Sequence, residues 1–299
     1  MKTSKGIKMK LIIITDSNCD LSYDYLKKNN VPVIPFHFSL NGKDYEDNFG
    51  KSISYVKFYD ELRKGRMSTT AQITPSVYEE YFRMYVSQGF SIIYIGFSSA
   101  LSESFNHSVT AQKAAMADNK AADITVIDSK CASVGQGLLV YHACEMKRQG
   151  KSKGEIVAWI EDTKLKINIW FTVDRLDHLR RGGRLSATSA AFGTVLNVKP
   201  VLFVDSEGKL APNRRVRGRQ KAIGTLSQEL RNRIVDPEDQ IIMISHGDCL
   251  KDAEHLRKLI LEKVKVRDII INYLGPVIGT HTGPGLLLVA FIGNNRQTE

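Results

Sequence analysis

Residues 275–285, GPVIGTHTGPG, set a single histidine, His281, among Gly275, Gly279, Gly283, Gly285 and two prolines, directly before the apolar run LLLVAF. The Gly and Pro clusters predict a loop, and the run after it predicts a buried strand. An imidazole there is either a core histidine satisfied by a backbone carbonyl or a ligand to something bound at the strand's mouth. Four hydroxyl-bearing stretches offer partners for it: Asp16-Ser17, Met67–Gln72, Ser98–Ser102 and Asp128-Ser129. Each ends a strand or opens a helix, where free N–H groups favour anions. Each also fits an ordinary helix cap, and Asp16 fits a structural carboxylate that holds loop N–H groups.

Several chemistries are excluded by what these stretches lack. No GxxxxGK[ST] occurs, and no GxGxxG follows the first strand, so a phosphate-loop enzyme is not expected. There is no GxSxG elbow and no HExxH. The four cysteines, Cys19, Cys131, Cys144 and Cys249, form no CxxC pair, which argues against zinc and for reduced thiols. What remains is a set of neutral hydroxyls, an arginine on the glycine turn of RRGGR (180–184), and the glycine-flanked histidine. Such groups suit a single carboxylate and lack the base–nucleophile–orienter chain of a catalyst. No cofactor is implied.

Positioning these groups requires an ordered scaffold, and the chain has the means to build one. It has 299 residues, 42% apolar and 25% charged, as soluble globular proteins do. Its longest apolar runs, LIIIT and LLLVAFI, are of strand length, so no membrane span is expected. The basic start MKTSKGIKMK precedes too short an apolar stretch for a signal core, and a cytoplasmic location is expected. The fold class read from the pattern is α/β. An N-terminal domain, 1–165, alternates buried strands (11–15, 31–40, 91–97, 124–128) with helices and so predicts a parallel sheet. A smaller α+β domain, 166–299, mixes hairpin and crossover connections, with a small-residue helix at SATSAAFGTVL (186–196). The two are expected to pack together, with a cleft between them.

The net charge of +10 could serve nucleic acid, but the basic residues are dispersed, with RRVRGR (214–219) the one dense cluster. A basic face for an acidic protein partner or an anionic ligand fits equally well.

Taken together, ITDSNCDL (14–21), TTAQ (69–72), GFSSALS (96–102), TVIDS (125–129), LRRGGRLS (179–186) and GPVIGTHTGPG resemble, in order and spacing, the DegV family of bacterial lipid-binding proteins. The resemblance spans essentially the whole chain. It implies a long-chain fatty acid buried in a tunnel, with its carboxylate held by Thr70, Ser102, Arg184 and His281. It also implies that the chain is a non-catalytic carrier, presenting the acid to a separate ATP-dependent fatty acid kinase subunit. Arg217 and Arg219 would then belong to a docking surface for that partner. The chain departs from the family pattern at Glu103, where LSGT is usual, and at Thr70-Ala71-Gln72, where the proline is displaced to Pro75. Two other readings stay open: an acyl hydrolase using Ser102 and His281, and a basic nucleic-acid-binding regulator.

Overall fold

The computed structural model describes residues 9–185 and 197–297. The small-residue stretch 186–196 lies outside them. Four strands, β1 (Lys10–Asp16), β2 (Val33–Ile34), β6 (Phe90–Gly96) and β7 (Ile124–Asp128), form a parallel sheet in the order β2-β1-β6-β7. The LIIIT and SIIYIG runs are continuous rather than alternating because both faces of this sheet are covered. One face packs on α3 (Pro75–Ser87) and α4 (Ser104–Asp118), burying Phe82 and Ala111 against Ile14 and Ile92. At roughly 1.5–3 kcal/mol for each fully buried large apolar side chain, such contacts carry most of the fold's stability.

The other face packs on α5 (Val134–Arg148), which is also covered on its far side by a second sheet. That sheet has the order β10-β9-β8-β13-β11-β12, built from β8 (Ile167–Thr172), β9 (Val198–Val204), β10 (Leu210–Arg217), β11 (Ile241–His246), β12 (Asp268–Tyr273) and β13 (Leu287–Ile292). Only β11 and β12 run parallel; the other neighbours are antiparallel. Its outer face is covered by α8 (Arg219–Arg233) and α9 (Leu250–Leu261). The start of α5, VGQGLLV, is buried all round because the helix is shared by two sheets. A Cβ at Gly135 would stand 2.3 Å from Ile169 of β8, and one at Gly137 would stand 2.4 Å from the carbonyl of Cys19. These glycines let α5 approach both sides closely. The short α1 (Tyr23–Lys28) and α6 (Lys153–Thr163) complete the edges, capped by the side chains of Ser22 and Ser152.

Three local expectations are corrected. Residues 31–40 are not one strand. Pro35, which has no N–H to give a ladder, separates β2 from β3 (His37–Leu40), and β3 joins a different sheet. That small antiparallel sheet has the order β4-β3-β5, with β4 (Lys43–Glu46) reached through the Asn41-Gly42 turn; both turn residues have positive φ, 52° and 77°. The polar stretch Met67–Gln72 does not simply open α3: its Ser68–Ala71 is a strand, β5, paired with β3. And GPVIGTHTGPG is not a loop but the helix α10 (Pro276–Thr282), opened by Gly275 and Pro276 and closed by Gly283 at φ 75°.

Candidate functional site

The strand β5 and the helix α10 meet where the two halves of the chain touch. Strand alternation points Ser68 and Thr70 to one side, and the last turn of α10 presents Thr280 and His281 to them. The Ser68 and Thr280 hydroxyls lie 2.7 Å apart. The Thr70 hydroxyl lies 2.9 Å from Nε2 of His281.

Behind the imidazole sits the turn after α7 (Asp177–Arg181). A Cβ on Gly182 would stand 2.3 Å from Nδ1 of His281, so only glycine lets the turn approach so closely. Gly183, at φ 67°, then reverses the chain and delivers Arg184. The Arg184 guanidinium donates to the carbonyls of Gly182 and, through Nε at 3.3 Å, of Leu101. It thereby ties the glycine turn to the loop after β6, where Ser102 is found.

Thr70, Ser102, Arg184 and His281 line one cavity of about 130 Å³. One water needs only about a tenth of that space. The rest of the cavity runs between the two larger sheets. Its walls are mostly apolar: Phe36 and Phe97 from the first half, Leu179, Phe171, Val204 and Leu288 from the second. Burial, and then the Arg184 charge, lower the His281 pKa to about 4. At neutral pH its imidazole is therefore uncharged and able to donate one hydrogen bond. The permanent positive charge at this end of the cavity is that of Arg184.

The backing of this site includes carboxylates that the local sequence does not announce. Asp16 holds the loops, as expected of it, accepting from the backbone N–H groups of Asn18 and Phe97 and from the Tyr94 hydroxyl. Asp20 accepts from the N–H of Gly275 at 2.8 Å and from the Ser133 hydroxyl. A Cβ on Gly275 would stand 2.9 Å from a carboxylate oxygen of both Asp20 and Asp47. These two acids thus support the opening turn of the helix that carries His281. Burial raises the Asp16 pKa to about 6 and that of Asp20 to about 7.

The geometry also bears on the hydrolase reading. The Ser102 hydroxyl donates to that of Ser104 at 3.0 Å, while His281 is bonded to Thr70. The base is therefore not directed at the would-be nucleophile. Glu103 is exposed at the start of α4, where it accepts from the Asn106 amide at 2.7 Å, away from the cavity. Of the basic run 214–219, Arg214 is paired with Glu229, and Arg219 with Asp252 at 2.8 Å. Arg219 turns inward, so of the two arginines expected on a docking face only Arg217 is exposed. Among the described residues no helix is long and apolar enough to cross a membrane, and no group of three or more His, Cys, Asp or Glu could hold a metal ion.

The whole chain is similar to known proteins. The family model described as "Uncharacterised protein, DegV family" matches residues 10–294. A DegV domain-containing protein of Clostridium perfringens is 44% identical over 288 residues, which is 96% of this chain and 99% of that protein. A DegV family protein from Thermus thermophilus, solved with fatty acid binding as its subject, superposes with a TM-score of 0.85 at 28% identity, covering 95% of this chain and all of the other. A fatty-acid-binding DegV family protein from Streptococcus agalactiae superposes with a TM-score of 0.84, also at 28% identity, covering 96% of this chain and all of the other.

Proposed function

The chain belongs to the DegV family, and on that premise we propose that it binds a long-chain fatty acid between its two halves, 1–165 and 166–299. The observation that carries this reading is that Thr70, Ser102, Arg184 and His281 line one mostly apolar cavity. The carboxylate takes the charge of Arg184 and hydrogen bonds from the hydroxyls and the neutral imidazole. The apolar walls take the chain. Burying a 16-carbon tail at about 0.8 kcal/mol per CH₂ gains on the order of 10 kcal/mol before ordering costs, so the polar end need supply only orientation and a preference for acids.

The chain then acts as a carrier rather than an enzyme, offering the bound carboxylate to a separate ATP-using kinase subunit for acyl phosphorylation. The hydroxyls and Arg184 neutralise and orient the carboxylate. None of them is placed to act as a base toward it. The fatty-acid-binding relatives support the ligand, and exposed Arg217 is a candidate contact for the partner.

Titration with a labelled fatty acid tests the assignment. Losing a hydrogen bond to a charged group costs about 1.5–3 kcal/mol, so Arg184→Ala and Ser102→Ala proteins should bind at least roughly tenfold more weakly. Wild-type affinity in both would contradict it.

A further inference from the structure

A second opening, of about 250 Å³, lies between β5 and the α7 turn and shares Thr70, Arg184 and His281 with the apolar cavity. Two more arginines, Arg66 and Arg181, line this opening, together with His178, Ser68 and Thr69. No carboxylate is among its described lining residues.

The arginines are poorly matched within the chain. Arg181 contacts two neutral groups, Nδ1 of His178 at 3.2 Å and the sulfur of Met67 at 3.6 Å. Arg66 reaches Glu61 only at 3.8 Å, with both side chains partly exposed, a distance and setting that contribute little. Burial and the neighbouring Arg181 charge lower the His178 pKa, so this ring is neutral until an anion arrives. One fatty acid carboxylate brings a single negative charge, which Arg184 answers. Two further guanidinium groups beside it make a receptor for a dianion.

We propose that this outer opening is a phosphoryl subsite, in which Arg66, Arg181 and His178 hold the phosphoryl group of an acyl phosphate whose chain occupies the cavity. This rests on the carrier reading above. In the transfer a carboxylate oxygen forms a bond to the γ-phosphorus of ATP. The bond from that phosphorus to the bridging oxygen breaks, and its electron pair leaves with the diphosphate. The acyl phosphate produced carries two negative charges next to the former carboxylate, where the opening lies. The subsite would retain the product after the nucleotide departs.

The test compares palmitate with a non-hydrolysable acyl phosphonate of the same chain length, using calorimetry on the full chain and on Arg181→Gln and Arg66→Gln proteins. The subsite predicts palmitate affinity within about twofold of wild type in both variants and phosphonate affinity lower by roughly tenfold or more. Equal losses for both ligands, or no loss for either, would overturn it while leaving the fatty acid reading standing. A wild-type protein that takes up neither ligand would overturn both. A third arm adds inorganic phosphate to palmitate-loaded protein; Arg181-dependent binding as tight as that of the phosphonate would make this a free-phosphate site and overturn the acyl assignment.

Discussion

Nε2 of His281 lies 2.9 Å from Oγ1 of Thr70, across 211 residues of chain. This contact joins an edge strand of the first half to a short helix of the second, and the cavity opens beside it. Whatever displaces the imidazole therefore disturbs the polar end of the cavity without unfolding either half.

Gly182→Ala is the narrowest way to do so. Gly182 has φ −71° and ψ −13°, which alanine adopts freely, so the backbone itself is not strained. The added Cβ meets Nδ1 of His281 at 2.3 Å and pushes the ring off Thr70. Circular dichroism should show a folded protein. Fatty acid affinity should fall by roughly tenfold or more, the cost of one hydrogen bond to a charged group. Unchanged affinity would mean that His281 does not contact the head group.

The titration of His281 gives an independent readout. In the empty site burial and Arg184 hold its pKa at about 4. A carboxylate placed beside it favours the imidazolium and moves the value upward. Histidine NMR on empty and loaded protein should record that rise. A value fixed near 4 in both states would separate the ring from the ligand.

Asp20 makes a prediction about stability. Its pKa is about 7 in the folded protein, raised by burial against the lowering effect of Ser133 and Gly275, and close to 4 in the unfolded chain. Between those values the folded state holds a proton that the unfolded state has lost, so this contribution is full at low pH and is lost as pH rises through about 4 to 7. Asp16, at about 6, has the same sign. His281 and His142, both lowered to about 4, have the opposite sign and cost stability as pH falls from 6.5 toward 4. The Asp20→Asn protein isolates the first effect, because an amide can accept from Gly275 and donate to Ser133. Relative to wild type it should gain on the order of a few kcal/mol between pH 5 and pH 8 in denaturant unfolding. A constant difference across that range would refute the buried neutral acid.

The parallel sheet was legible because its strands are continuous apolar runs. The site elements were less so, for identifiable reasons. The segment Ser68–Ala71 carries polar side chains on both faces of an edge strand and shows no apolar alternation to read. In α10 the start signal, Gly275-Pro276, and the stop signal, Gly283, are so close that together they imitate a loop. Pro35 hides a sheet change inside what reads as one run. The bond from Gly275 to Asp20 spans 255 residues and leaves no local trace. Thr70, Ser102, Arg184 and His281 could be named through the family resemblance, yet their convergence on one cavity is a property of the folded chain. Arg181 stands in RRGGR, but His178 and Arg66 lie outside every motif, and only the packing of β5 against the α7 turn gathers the three.

Organic extraction of the purified protein followed by mass spectrometry tests the central claim most directly. The account predicts a fatty acid in near-stoichiometric amount, or complete uptake of one when the protein is purified empty. A protein that carries none and takes up no labelled fatty acid would contradict it.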